Sequence, residues 1–201
     1  MSLAARRYPR AQPLNGQDVQ LTTMSAGDEA DVLAFAAALP PHDLLFLRRD
    51  ITHPKVLAAW TAEIEAGNIV SLLARDASGT GTGRRVLGCS ALVRDPISFS
   101  PHVGEVRVLV SPEGRDRGLG RLLIQESFLL ALDLGLDKLI AQMTVDQQGA
   151  ITLFQDMGFV TEGLLRNHVQ DGTGLRHDLV LLSQDVARFQ ATMDAYGLTD
   201  P

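Results

Sequence analysis

Cysteine is almost missing from this chain. Cys89 is the one thiol in 201 residues, so no internal disulfide can form and a disulfide-stapled scaffold is excluded. A basic excess is missing too: 18 Lys and Arg against 24 Asp and Glu leave a net charge of −6, which argues against wholesale binding to nucleic acid or to anionic lipid. No apolar run approaches the roughly 20 residues that span a bilayer, and the start, Met1-Ser-Leu-Ala-Ala-Arg-Arg7, lacks the apolar core of a secretory signal. The expectation is a cytoplasmic protein with neither a membrane nor a nucleic-acid partner, with Met1 to Leu3 read as a cloning remnant. Nucleotide signatures are absent as well: there is no Gly-x-x-x-x-Gly-Lys-[Ser/Thr], and Arg115-x-x-Gly118-x-Gly120 cannot be stretched into Gly-x-Gly-x-x-Gly.

What is present is a hydrophobic content of 45%, enough for one core, in a chain whose length suits one domain with end extensions. Residues 1–16 read as an N-terminal extension, with 4–18 extended or disordered because prolines, Asn15 and Gly16 sit among arginines. Residues 17–184 form the domain, and 185–201 a C-terminal helix and tail, the helix spanning Gln184 to Tyr196. Within the domain, 19–23 is a strand, and Ser25-x-x-Asp28 opens a helix that Pro40-Pro41 stops. A second helix occupies 54–66, starting at Pro54. Strands at 69–75 and 84–94 flank a Gly/Thr-rich hairpin loop, 76–83, and a strand at 102–111 and a helix at 118–134 follow. The order β-α-α-β-β-β-α-β-α-β-β describes an α/β domain with a mixed sheet and helices on its faces.

The most informative stretch runs from Val106 to Ile124, where an apolar strand breaks into an arginine- and glycine-rich turn that opens a long helix. The first amides of a helix have no intrahelical acceptor, and glycines at 118 and 120 let a ligand approach the backbone, so the arrangement suits a phosphate group. Arg115, Arg117 and Arg121 concentrate positive charge there in an acidic chain. Three cations at a helix N-terminus oppose the helix dipole by a few tenths to about 1 kcal/mol, a placement that gains nothing without an anion.

The hexapeptide Arg115-x-x-Gly118-x-Gly120 after a strand resembles the acetyl-CoA pyrophosphate loop of the GNAT N-acetyltransferases. About thirty residues on, Gln147-Gln-Gly-Ala-Ile-Thr-Leu-Phe-Gln-Asp-Met-Gly-Phe159 is similar to that family's fifth strand and following helix, matching at Ala150, Leu153, Gly158 and Phe159 and departing at Gln147 and Phe154. The segment 161–178 looks like the last two strands of many bacterial members. The resemblance implies a GNAT fold: a mixed, mostly antiparallel sheet of about seven strands with helices on both faces, whose fourth and fifth strands splay apart to admit pantetheine. It also implies that the backbone of Leu109 and Val110 pairs with pantetheine, and that the amide of Val110 polarises the thioester carbonyl. The turn Arg115, Asp116, Arg117, Gly118, Leu119, Gly120 and Arg121 holds the pyrophosphate, with Asp146 and Phe154 completing the cofactor site.

The implied function is transfer of an acetyl group from acetyl-CoA to a primary amine by direct attack in a ternary complex. An alkyl amine of pKa about 10.4 is neutral about once in 2,500 molecules at pH 7, a handicap of roughly 4.6 kcal/mol. A departing thiolate of thiol pKa about 8.5 gains only about 2 kcal/mol from a general acid. Proton removal is therefore the harder task. Glu105, on the strand expected to carry the cofactor, is the candidate base; its alternative role is an ion pair with Arg107 or a neighbour. Asp146 is a reserve base or a helix N-cap. Phe154 stands where many family members place the tyrosine that protonates the sulfur, and a phenyl ring has no proton to give.

Cys89, inside an apolar strand, reads as a small buried hydrophobe rather than an acyl nucleophile. A hairpin centred on Gly172-Thr173 pairs residues whose numbers sum to 345, which puts His168 opposite His177. Two imidazoles do not make a metal site, so no metal is expected. Two alternatives stand beside the acetyltransferase: a non-catalytic acyl-CoA-binding or regulatory module, and a transferase using another acyl-CoA or a protein N-terminus. The acceptor, small molecule or peptide, has no signature in the sequence; the acidic balance biases association toward a cationic amine. A homodimer is left open.

Overall fold

The computed structural model describes residues 8–77 and 85–187. The chain runs β1 (Arg10–Leu14), β2 (Gln17–Thr23), α1 (Glu29–Ala38), α2 (Pro54–Glu65), β3 (Ile69–Asp76), β4 (Val86–Arg94), β5 (Val103–Val110), α3 (Leu119–Asp133), β6 (Lys138–Thr144), α4 (Gln148–Asp156), β7 (Val160–Gln170) and β8 (Arg176–Asp185). Eight strands make one sheet in the order β1-β2-β3-β4-β5-β6-β8-β7, antiparallel everywhere except between β5 and β6. The expected mixed α/β sheet is there, with one strand more than expected, so the strands read as fourth and fifth are β5 and β6.

The extra strand is β1, within the segment read as an extended or disordered leader. It closes a hairpin through Gly16, whose φ of 77° is open to glycine at little cost, and pairs along β2 from Arg10 opposite Leu21 to Leu14 opposite Gln17. A buried carboxylate holds it: Arg10 Nη2 lies 2.5 Å from Glu126 Oε1 on α3, and the Tyr8 hydroxyl donates to Glu126 Oε2 at 2.7 Å. The sequence shows two prolines there but not the partner that makes the segment worth ordering.

Other boundaries follow local chemistry. The Asp28 carboxylate accepts from the Ser25 amide at 2.8 Å, fixing a single 3₁₀ turn before α1, and Leu39 is extended ahead of Pro40-Pro41. Pro54 begins α2, and the α3 helix expected over 118–134 starts at Gly118 as N-cap. β8 continues to Asp185, so Gln184 is strand where a helix is expected; the remainder of that helix, from residue 188, lies outside the described residues, as does most of the 76–83 loop. The last hairpin pairs Val169 with His177 and Gln170 with Arg176, one residue from the expected register, with an irregularity between Leu165 and Val169. His168 therefore does not face His177.

Alternation along the strands sends Leu73, Cys89 and Leu109 to one face, under Val32, Phe35 and Leu57 of α1 and α2. Leu72, Leu92 and Val106 go to the other, under Ile124 and Phe128 of α3 and Phe154 of α4. On β5 this parity puts Glu105, Arg107 and Leu109 on the α1/α2 face and Val106, Val108 and Val110 on the α3/α4 face. No helix among the described residues is long and apolar enough to cross a membrane.

Candidate functional site

The site forms where the parallel pair β5–β6 gives out. β5 and β6 are in register from Val103–Lys138 to Glu105–Ile140 and then part. Ser111 N donates to Leu87 O across β4 at 2.8 Å, and that pairing parity makes Leu109 with Cys89, and Arg107 with Ala91, the bonded pairs. The N–H and C=O groups of Val106, Val108 and Val110 thus point away from β4, toward β6. Past the last β5–β6 pair they face a gap, and polar backbone groups left without a ladder need a partner. Of the two residues expected to pair with pantetheine, Val110 offers its backbone to the gap. Leu109 spends its own on β4. Val108, which the sequence does not single out, takes its place.

The gap opens into a cavity of about 610 Å³ between β5, the 111–118 turn, the start of α3 and α4. Leu109, Val110, Arg115, Asp116, Gly118, Leu119, Gly120, Arg121, Asp146 and Phe154 all line it; Arg117 and Glu105 do not. At its end Gly118 is left-handed (φ 88°) and Asp116 is too (φ 58°), which folds the turn back on itself. The first bond of α3 runs from Leu122 N to Gly118 O, leaving the amides of Leu119, Gly120 and Arg121 without an intrahelical acceptor at the positive end of the helix dipole. A Cβ on Gly120 would come within 3.0 Å of Leu153 Cδ2, the movable tip of a side chain.

The three arginines divide their roles. Arg115 crosses the mouth to pair with Asp43 and sits 3.4 Å from the Val110 carbonyl. Arg121 is drawn toward α4, 3.5 Å from Asp156 and 3.2 Å from Met157 Sδ, so it lends the cavity its amide more than its charge. Phe154 is buried and stands edge-on to Phe159 at 5.0 Å, making an apolar wall.

Glu105 sits 7% exposed. Arg107 grips it with a two-pronged contact, Nε to Oε1 and Nη2 to Oε2 at 2.9 Å each, and Arg48 approaches Oε2 at 3.8 Å. That is the ion pair expected as its alternative role. Cys89 is 2% exposed, and burial pushes its thiol up to about 12, so it is protonated at neutral pH and no thiolate is available for acyl transfer.

One cluster escapes sequence reasoning because its members come from three distant segments. His42 Nε2 lies 2.5 Å from Asp146 Oδ2 at the cavity mouth, and its ring meets that of His177 edge-on at 5.2 Å. His177 Nε2 lies 2.8 Å from Asp171 Oδ2. Burial raises the Asp146 pKa, but hydrogen bonds from Thr144 and its own amide, with His42 beside it, outweigh that and hold it below the ordinary carboxylate value. The Thr173 hydroxyl first, then His177, holds Asp171 well below it. Among the described residues no three His, Cys, Asp or Glu side chains gather as a metal-binding group.

A splayed parallel pair opening on a glycine turn at a helix N-terminus agrees with the comparison with known sequences: the profile of the acetyltransferase (GNAT) family matches residues 41–159. The chain belongs to that family. Over 84 residues it is 32% identical to N-acetyltransferase 8F1 of Rattus norvegicus, covering 41% of this chain and only 38% of the rat protein's length. Bacillus subtilis YwnH, provisionally named a phosphinothricin acetyltransferase, is 25% identical over 135 residues, 67% of this chain and 72% of its own. The GNAT fold is shared with spermidine N-acetyltransferase of Vibrio cholerae, solved with CoA and spermine, at a TM-score of 0.71 and 18% identity over 88% of this chain and 99% of that one.

Proposed function

We propose that this protein is an acetyl-CoA-dependent N-acetyltransferase that carries an acetyl group from the thioester to a primary amine by direct attack in a ternary complex. The observation that carries this is the continuity of the cavity: the Val108 backbone and the Val110 N–H, both turned from β4 into the β5–β6 gap, lead straight to the unpaired amides of Leu119, Gly120 and Arg121. The first set suits the amide groups of a pantetheine arm laid along β5 like an added strand, and the second a pyrophosphate. Asp116 and Gly118 shape the turn around it, Arg115 supplies charge at the mouth, and Arg117 adds to the local field from outside the cavity lining. Asp146, Phe154 and Leu109 wall the arm.

The Val110 N–H, aimed into the gap, stabilises negative charge developing on the thioester oxygen. As the amine nitrogen bonds to the carbonyl carbon and the C–S bond breaks, the amine sheds a proton and the thiolate leaves. Glu105 does not line the cleft, so we assign it the proton through intervening water: each of its oxygens keeps a lone pair beside the Arg107 contact. Phe154 donates nothing to the sulfur, which leaves unassisted or with a proton from water.

The names of the relatives cover different amines and select none for this chain. The test has two steps. Acetyl-CoA at one hundred times its dissociation constant should stabilise the fold by about 2.7 kcal/mol, seen as a raised melting temperature, with free adenine nucleotides doing less. CoA release across amines, amino acids and peptides then reads turnover. An unshifted melt with acetyl-CoA and CoA alike would end the reading of the loop. A shifted melt with no thiol release from any amine would favour the second reading, an acyl-CoA-binding module, for which the missing hydroxyl at Phe154 speaks.

A further inference from the structure

On the α1/α2 face, opposite the cofactor cleft, lies a second cavity of about 510 Å³ between α2, the 47–51 segment and the central strands. Its floor is apolar, with Trp60, Cys89, Ala91 and Leu109 among its lining, and its polar lining is dominated by arginine: Arg48, Arg49, Arg94 and Arg107 against Glu63 and Asp95. The two carboxylates are engaged locally, Glu63 by the Asn68 amide at 2.8 Å and Asp95 by the Ile97 backbone N–H at 3.2 Å. The arginines are not used up. Arg107, whose side chain is 19% exposed, gives two of its five N–H groups to Glu105, and the other three find no acceptor among the described residues. Arg49 has no hydrogen-bond or ion-pair partner there, and Arg48 has only its 3.8 Å approach to Glu105. The largely buried Arg107 edge over an apolar floor, with the exposed Arg48 and Arg49 at the rim, suits an oxyanion attached to hydrocarbon.

Leu109 is common to the linings of both cavities, so β5 is where they come nearest one another. Resting on the acetyltransferase reading, we infer that this second cavity is the acceptor site and that the acceptor is an amino acid-like amine: a primary amine directed at Leu109 and a carboxylate or similar oxyanion bound by Arg107 and Arg48, with an apolar spacer between. Arg107 and Leu109 are two residues apart on one strand face, about 7 Å, which sets the scale of the spacer. Glu105 then also serves as a positioning residue, fixing the Arg107 fork so that its free edge faces the ligand. The local field reverses the bias of the acidic chain as a whole. Cations around the mouth also disfavour the ammonium form of the bound amine, easing the harder of the two proton transfers.

The test is calorimetric binding of δ-aminovalerate, pentylamine and cadaverine, three chains alike except for a carboxylate, a methyl or an ammoniomethyl group at the far end, to the protein with and without CoA. δ-Aminovalerate should bind about tenfold or more tighter than either of the others, the gain expected of a charge-assisted pair. Arg48→Gln, at a 71% exposed position where folding is not at stake, should cut that preference severalfold, and Arg107→Lys, which keeps the charge but loses the fork, should cut it about tenfold. Binding of cadaverine or pentylamine as tight as that of δ-aminovalerate overturns the proposal, as does a carboxylate preference that survives both substitutions, or no binding of δ-aminovalerate at millimolar concentration. None of these readouts needs turnover. Failure of acetyl-CoA to shift the melt is a separate result and bears on the cofactor cleft alone.

Discussion

Gly120→Glu isolates the cofactor turn from the fold. Gly120 is the second residue of α3, where a carboxylate suits the helix dipole and Glu recovers roughly 0.5–1 kcal/mol of helix propensity relative to glycine. The steric cost is small, because the atom a Cβ meets at 3.0 Å is the tip of the partly exposed Leu153, and Val110 Cγ2 stands at 3.9 Å. The charge is another matter. A carboxylate placed about 5 Å from a pyrophosphate oxygen, at an effective dielectric of about 20, repels each unit charge by about 3 kcal/mol. One such charge raises the dissociation constant about 100-fold, and two raise it beyond ready measurement. Gly120→Ala is the control, with bulk but no charge, and should lose no more than about tenfold. Calorimetric titration of CoA into the parent and both variants, with circular dichroism and melting curves for the fold, gives the answer. A natively folded Gly120→Glu protein that binds CoA within about threefold of the parent would refute the placement of the pyrophosphate at this helix start.

Three further outcomes follow from named contacts. Phe154→Tyr should raise kcat/KM by at most about 30-fold, the roughly 2 kcal/mol that protonating the thiolate can yield; a thousandfold gain in steady-state turnover would show that the two proton transfers were ranked in the wrong order. Arg10→Ala should cost about 1–3 kcal/mol in urea unfolding at neutral pH, because Glu126, whose side chain is 4% exposed, loses a charged partner while its Tyr8 bond remains; a loss below about 0.3 kcal/mol would mean that β1 contributes little. Since the Asp171 pKa is depressed, its contribution to the β7–β8 hairpin is full above the ordinary carboxylate range and is lost only as pH falls through the lower, folded value. The amide resonances of Thr173 and Leu175, which donate to Asp171 Oδ1, should therefore hold steady down through pH ~3.9; a midpoint at that value would contradict the contacts.

The element order, the strand–turn–helix unit and the glycines that shape it were legible in the sequence, because they rest on local periodicity, on proline stops and on the few residues that tolerate a left-handed or crowded backbone. Gly118 and Gly120 are such residues, and Cys89 could be read as core from its apolar neighbours alone. Tertiary structure decided whatever depends on partners far away in the chain. β1 is a strand because Glu126, more than a hundred residues on, offers Arg10 and Tyr8 a buried carboxylate. Val108 and not Leu109 offers its backbone to the gap because the β4 register, anchored at Leu87 and Ser111, fixes which residues have spent their hydrogen bonds. For Glu105 the sequence leaves a base and an ion pair with Arg107 both open, and in the fold Arg107 grips it with two hydrogen bonds. The arginines that define the second cavity come from a loop and two strands, each unremarkable in sequence, and only their convergence over Leu109 turns an acidic chain into one with a cationic pocket. Charge composition sums over the whole surface, whereas a ligand responds to the few groups within about a Debye length of where it binds.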